Sequence, residues 1–396
     1  MDEREQKGLM IAATKRIHRK GAEFLVPAAS RTGKYTVNAT AKTCSCPDYE
    51  IRQAPCKHIH AVSFYLQRQV ETRPDGTTVV TEMKAVKVTY SQPWQAYNTA
   101  QTTEKEEFCR LLRELCSTIE EPEQRMGRPR VPLADGLFAA CFKVYSTVSG
   151  RRFMTDMREA EEKGLVDHAP CYNSIFNVIE SEQVTPIIKS LIEQSALPLA
   201  AVETDFAVDS TGIGLSRTFN YFSARYKQQQ TGHAWLKLHA IVGTKTNVIA
   251  ACEVTERDVH DSPMFTPLVE RASRNFQISE VSADKAYSSR ANLELVVNKG
   301  AAPFIPFKSN HRGDGSNELW NRLFHFYSFQ RSTFAEHYHK RSNVEATFSA
   351  LKRKFGDCVR SKTPVAQQNE TLLKVLAHNI VCLVHSMHEL GVNPSF

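Results

Sequence analysis

The stretch AVETDFAVDS, residues 201–210, decides the fold of this 396-residue chain. It is an apolar, partly β-branched run of strand length that ends in an aspartate. Two more such runs follow, HAWLKLHAIVG (233–243) and NVIAACEVTE (247–256). Beyond them the pattern predicts a helix over 261–274, a strand over 278–287, a helix over 288–300, a strand over 301–307 and helical segments to residue 390. This order predicts an α/β domain with a mixed sheet flanked by helices.

Two of these predicted strands end in an acid. Asp209 closes FAVDS, and Asp284 lies in EVSADKAY. A carboxylate just past buried residues lies at the rim of a sheet, where it is held rigidly and is partly desolvated. A single aspartate in such a place is more often a helix cap or a turn residue. Two of them, after two strands, favour a functional site.

A third acid lies on a predicted helix, YHKRSNVEATFSALK, residues 338–352. Helical spacing places Tyr338, Arg341, Glu345 and Lys352 on one face of it. A separate apolar stripe predicts the buried face and consists of Val344, Phe348, Leu351 and Phe355. A surface ion-pair ladder explains Arg341 and Glu345 as an i, i+4 pair, but it leaves the tyrosine and the distant lysine without a role.

The three acids, in the order strand, strand, helix, resemble the catalytic triad of RNase H-like DDE transposases. The stretch 338–352 matches Y-x2-R-x3-E-x6-K, the signature of a large group of bacterial insertion-sequence transposases. DSTG, ADKAYSS and VHDSPMF are also similar to motifs of that group. The resemblance covers about residues 125–390.

The resemblance implies a DNA transposase. Asp209, Asp284 and Glu345 would be catalytic and would bind two Mg²⁺ or Mn²⁺ ions, since carboxylate oxygens suit these cations. Tyr338, Arg341 and Lys352 would contact DNA. The enzyme would cleave at the ends of its own element and join the 3′-OH ends to target DNA. His260 and Asp261 either contact this site or form an ordinary helix N-cap with a neighbouring histidine.

A cysteine cluster lies near the N-terminus. Cys44, Cys46, Cys56 and His58 supply the four ligands of a closed tetrahedral Zn²⁺ site, with His60 as an alternative fourth ligand. Two predicted strands precede the cluster and a helix follows it. This ββα arrangement resembles the SWIM zinc finger, which implies structural zinc and a role in binding nucleic acid or protein.

The chain divides, by pattern, into four parts. Residues 1–70 hold a helix and the zinc module, 71–103 a linker, 104–198 a helical region that could bind DNA ends, and 199–396 the catalytic domain. Before the catalytic domain, the pattern predicts helices over 58–71, 104–119, 133–148, 151–163 and 172–193. In MGRPRVP (126–132), Arg128 and Arg130 resemble half of an AT-hook, with a plain basic turn as the equal alternative. The segment 301–362 holds eleven of the lysines and arginines against five acids, which favours a polyanionic partner.

Composition excludes several classes of protein. No apolar run is long enough for a membrane span, the N-terminus has no signal-peptide pattern, and ten cysteines in 396 residues do not indicate a secreted disulfide scaffold. We therefore expect a cytoplasmic, nucleoid-associated bacterial protein that binds double-stranded DNA as a homodimer or larger assembly. Two alternatives stay open: an RNase H-like nuclease without strand transfer, and a domesticated DNA-binding protein.

Overall fold

A computed structural model describes residues 3–28, 33–66, 69–72, 78–81, 93–123, 130–215, 235–313 and 317–396. The chain forms two compact units, Met1–Gln92 and Pro93–Phe396. Each unit has its own hydrophobic core.

The first unit is a small sheet covered by helices. Its elements are α1 (Glu3–Thr14), β1 (His18–Lys20), β2 (Glu23–Pro27), β3 (Lys34–Asn38), β4 (Thr43–Cys44), α2 (Pro47–Arg52), α3 (Lys57–Leu66), β5 (Gln69–Thr72) and β6 (Thr78–Thr81). Strands β1 to β4 pair antiparallel in sequence order, and β5 pairs with β6 as a hairpin. The predicted ββα core is confirmed, although the helix expected over 58–71 ends at Leu66 and gives way to β5.

A helical region opens the second unit. It consists of α4 (Trp94–Cys116), α5 (Leu133–Ser146), α6 (Gly150–Glu162), α7 (Tyr172–Ile179) and α8 (Val184–Ala196). Helix α4 begins ten residues before the predicted start at 104. The single helix expected over 172–193 is wrong, because two helices meet there. Asn369 explains the break, since its side-chain amide donates to the carbonyl oxygens of Ile179 (2.9 Å) and Ser181 (3.0 Å).

The central sheet has five strands: β7 (Asp205–Gly214), β8 (Trp235–Gly243), β9 (Ile249–Glu256), β10 (Glu280–Ala283) and β11 (Ala302–Phe304). Their spatial order is β11-β10-β7-β8-β9. Strands β7, β8 and β9 are antiparallel neighbours, whereas β10 runs parallel to both β7 and β11. The predicted RNase H-like mixed sheet is confirmed, and the parallel β7–β10 pair brings two carboxyl ends to one edge.

The remaining helices cover this sheet. They are α9 (Ser262–Asn275), α10 (Arg290–Asn298), α11 (Glu318–Phe329), α12 (Arg331–Tyr338), α13 (Ser342–Phe355) and α14 (Pro364–Leu390). Helix α14 packs against α4, α5 and α8, and α13 packs against β7. None of the helices in the described ranges has the length and apolarity needed to cross a bilayer.

Helix α13 begins later than the sequence pattern predicts. Instead of one helix from Tyr338 to Phe355, α12 ends at Tyr338 and a 3₁₀ turn, His339–Arg341, leads into α13. Lys340 fixes this turn because its Nζ lies 2.6 Å from Asp205 Oδ2 and 2.8 Å from Glu280 Oε2. The predicted apolar stripe is buried throughout and consists of Val344, Phe348, Leu351 and Phe355.

Candidate active site and zinc site

The two strand acids lie side by side on neighbouring strands. Asp284 follows the last residue of β10 as predicted, but Asp209 does not end its strand: β7 continues to Gly214, and Asp209 pairs with Ala240 of β8. Val208 pairs with Ala283 in the parallel β7–β10 ladder, so Asp209 and Asp284 are the next residues in line on each strand. Each carboxylate accepts the amide N–H of the following residue: Asp209 Oδ1 that of Ser210 at 2.8 Å, and Asp284 Oδ1 that of Lys285 at 2.7 Å. These bonds fix the direction in which both side chains leave the sheet.

Arg341 joins the third acid to this pair. Its Nη2 lies 3.2 Å from Asp209 Oδ2, and its Nη1 lies 2.6 Å from Glu345 Oε1. The Asp209 side chain is 19% exposed, whereas that of Glu345 is 61% exposed. A guanidinium ion therefore sits between a half-buried carboxylate of the sheet and an exposed one of α13.

The charges of the three acids act on one another. Burial raises the pKa of Asp209, and the negative charges of Asp284 and Glu345 raise it further, while Arg341 opposes them. The carboxylate oxygens of the three residues are not all within 4.8 Å of one another. The cluster nevertheless fits a divalent cation, because it offers hard oxygen ligands and like charges that need a counter-ion.

The other residues predicted from the signature lie around the same cluster. Tyr338 is half-buried against Phe334, with ring centroids 6.0 Å apart, and burial raises its pKa. Lys352 Nζ lies 2.6 Å from Thr211 Oγ1, and burial lowers the pKa of this lysine. Lys352 thus bonds β7 two residues beyond Asp209, a contact that the helical spacing alone does not reveal.

The region before α5 is only partly described. Arg130 is exposed at the entrance to α5. Arg128 lies outside the described residues, as does the rest of the segment 124–129.

Asp261 has a different environment from the predicted helix cap. It precedes α9, but its side chain makes no capping hydrogen bond and instead accepts a bond from Ser210 Oγ at 2.8 Å. His260, beside it, is exposed. The sequence analysis missed this contact and the neighbouring His239, because only the strand pairing reveals that His239 lies opposite Ser210.

The predicted zinc ligands converge in the first unit. The ligand atoms of Cys44, Cys46, Cys56 and His58 all lie within 4.8 Å of one another, and all four residues are buried. His58 Nδ1 is 3.8 Å from Cys44 Sγ and 3.9 Å from Cys56 Sγ. His60 is not part of this group, and it lies instead against Gly8 of α1.

The three thiols of the cluster have different pKa values, because the hydrogen bond with Cys56 and burial raise that of Cys44, and burial raises that of Cys46. The hydrogen bond from the Cys44 thiol, together with His58, lowers the pKa of Cys56 to about 3. A thiolate is the metal-binding form of cysteine. Three sulfurs and one imidazole nitrogen, with no open position, fit a structural tetrahedral Zn²⁺.

Comparison with known proteins agrees with both sites. Residues 201–380 match the family described as transposase DDE domain, and residues 35–67 match the SWIM zinc finger. The chain is 27% identical over 272 residues to a probable transposase for insertion sequence element ISA1214 of Archaeoglobus fulgidus, covering 68% of this chain and 80% of that protein. A piggyBac transposase, solved as a synaptic complex with hairpin DNA, aligns over 77% of this chain and 78% of its own, with 9% identity and a TM-score of 0.36.

The mixed sheet flanked by helices is the fold of an RNase H-like domain. Residues 201–380 are a transposase DDE domain and residues 35–67 a SWIM zinc finger, and the chain is similar to an insertion-sequence transposase. The DDE domain implies a divalent metal ion, and the SWIM finger implies zinc.

Proposed function

We propose that the protein cleaves DNA at the ends of its own insertion element and joins the freed 3′-OH ends to target DNA. The observation that carries this is that Arg341 bridges Asp209 and Glu345, while Asp284 lies beside Asp209 on the neighbouring parallel strand. Two Mg²⁺ ions, or Mn²⁺ in their place, would polarise the scissile phosphate and activate the attacking water or 3′-OH when bound.

The positions of the three acids assign them different parts of the proposed metal site. Asp209 and Asp284 are held by the strands and by the amides of the next residues, so they form the fixed part of the metal site. Glu345 is on a helix and largely exposed, and it completes the site from the other side.

Arg341 lies between Asp209 and Glu345 as a counter-charge. We place its guanidinium on a DNA phosphate once metal and substrate are bound, because phosphate matches its two-pronged donor geometry as well as carboxylate does. Lys352 and Tyr338 flank the same face, and we assign them to phosphate contact and to packing against the bound strand.

DNA ends would be held by further parts of the chain. We assign this role to the helical region, the zinc module, Arg128 and Arg130. The catalytic residues alone do not recognise the DNA sequence of the element ends. Two element ends must be joined in one event, so we propose a homodimer or larger assembly working at the bacterial nucleoid.

The test uses the DNA that flanks the reading frame. Oligonucleotides that carry its terminal inverted repeats, with Mg²⁺, should be nicked at the repeat boundary and joined to plasmid DNA by the wild-type protein. Asp209→Asn, Asp284→Asn and Glu345→Gln should each bind the ends normally and neither cleave nor join them. Retention of cleavage in any one variant would remove that residue from the catalytic set.

The same assay separates the alternatives. Cleavage without joining would indicate a nuclease, and end binding without metal-dependent cleavage would indicate a domesticated DNA-binding protein. The presence of all three acids supports an enzyme over a domesticated DNA-binding protein, and joining activity distinguishes the transposase from the nuclease.

A further inference from the structure

Asp209 and Ser210 point to opposite faces of the sheet, because successive side chains of a strand alternate. On the Asp209 face, Arg341 contacts Asp209 and Lys352 contacts Thr211. On the other face, Ser210 lies opposite His239 of β8. Ser210, which follows the proposed metal ligand Asp209, therefore makes its side-chain contacts on the opposite face of the sheet.

Asp261 is the centre of that set. Its Oδ1 accepts the Ser210 hydroxyl at 2.8 Å and lies 3.3 Å from Lys237 Nζ and 3.5 Å from His239 Nδ1. One carboxylate oxygen thus faces three groups from two adjacent strands. Ser210 in turn donates its amide to Asp209, so the chain of bonds runs from Asp261 through Ser210 to the metal site.

The partners of Asp261 are themselves anchored. Lys237 Nζ donates to the carbonyl oxygen of Val259 at 2.8 Å, which holds the turn before α9. His239 is fully buried, and its Nε2 lies 2.9 Å from Thr255 Oγ1. Tyr287 is also buried here, and burial followed by the charges of Asp261 and Asp209 raises its pKa.

An aspartate that only faced solvent would not need these contacts with Ser210, Lys237 and His239. Buried polar groups cost free energy unless they are paired, and networks of them persist where they fix a geometry. His239 Nδ1 and the Tyr287 hydroxyl are buried without a hydrogen-bond partner among the described residues. Both groups lie near Ser210, beside the middle of β7 and β8.

We propose that Asp261 is a positioning residue for Asp209, acting through the Ser210 hydroxyl from the opposite face of the sheet. This inference rests on the proposed function of Asp209 as a metal ligand. It assigns a role to Asp261 of the VHDSPMF motif, and it places the support of the metal site on β8 and on the turn before α9.

The experiment measures Mn²⁺ binding to the full-length protein by the EPR signal of free Mn²⁺, with DNA cleavage in parallel. Ser210→Ala and Asp261→Ala should each raise the half-saturating Mn²⁺ concentration about tenfold, as loss of a group that orients a metal ligand does. Each should lower kcat for cleavage with an unchanged KM for DNA. The double variant should be no worse than either single one.

Two further variants make the result specific. Asp261→Asn keeps an oxygen acceptor for Ser210 and should restore most of the metal affinity. Asp258→Ala is the matched control, because it lies in the same turn with its side chain 83% exposed. It should behave as wild type.

The inference is overturned if Ser210→Ala and Asp261→Ala bind Mn²⁺ as wild type does, or if their effects add in the double variant. Ser210→Ala removes only the hydroxyl that links Asp261 to Asp209. It therefore tests the inference even if Asp261→Ala does not fold. Asp209→Asn separates the failure of this inference from the failure of the proposed metal site. If it too leaves Mn²⁺ binding unchanged, the proposed metal site itself is wrong.

Discussion

The two metal sites of this protein are built in opposite ways. In the zinc module all four ligands are buried inside the small core of the first unit, beside residues such as Val37. In the catalytic domain two acids lie on neighbouring strands and one on α13, and none of them belongs to the hydrophobic core. We therefore expect the first site to need its metal in order to fold and the second to need its metal only for the reaction.

The largest effect is expected at the acid cluster. Asp284→Asn should lower metal-dependent DNA cleavage by roughly 1,000-fold, since a metal contributes several kcal/mol to the transition state and each 1.4 kcal/mol is a factor of ten. Its melting temperature should match that of wild type. Asp258→Asn is the control and should cleave normally. A large fall in stability would mean that Asp284 belongs to the folding core.

Loss of zinc should change the folding of the first unit rather than the reaction. Cys56→Ser should leave residues 1–92 unfolded and open to proteolysis, because the binding energy of a structural zinc is folding energy. The second unit should melt as in wild type, and metal analysis should show the loss of zinc. A first unit that resists protease without zinc would contradict the comparison.

A matched pair of core substitutions sharpens the contrast. Val37 in the zinc module and Val281 in the catalytic sheet are both fully buried. Each Val→Ala change should cost about 2 kcal/mol. In the zinc module, folding and zinc binding should be coupled, so the same free energy should weaken zinc affinity by roughly thirtyfold. In the sheet, it should lower the melting temperature and leave Mn²⁺ binding unchanged.

The smallest effect is expected at the turn that leads into α13. Lys340→Met should cost about 1 kcal/mol of stability, because it leaves Asp205 and Glu280 without their shared cation. Lys340→Arg should recover most of this loss. Burial opposes the charge of Lys340, but the two acids raise its pKa overall.

That raised pKa also predicts a pH dependence. The contribution of Lys340 should be complete below the ordinary lysine value of about 10.4 and be lost as the pH rises through the value in the fold. Thermal melts of wild type and Lys340→Met should therefore differ at neutral pH and converge in strongly alkaline buffer. A difference that persists there would show that the ion pairs are not its cause.

Much of this could be predicted from the sequence, because it depends on local pattern. The strand runs, the buried stripe of α13 and the spacing of Cys44 and Cys56 each depend on residues at most twelve positions apart in the sequence. The rest depends on distant partners. The break between α7 and α8 is set by Asn369, and the bond from Arg341 to Asp209 requires the packing of α13 on β7. The i, i+4 spacing indicates only the partner of Arg341 that is near in sequence, Glu345.

The most direct test of the account is a crystal structure of the protein soaked in Mn²⁺, with anomalous maps at the manganese and zinc edges. We predict manganese bound by Asp209, Asp284 and Glu345, with Arg341 moved away from Asp209. We also predict zinc, unaffected by the soak, between the three cysteines and His58. Manganese bound elsewhere, with the Arg341 bridge to both acids intact, would contradict the assignment of the active site.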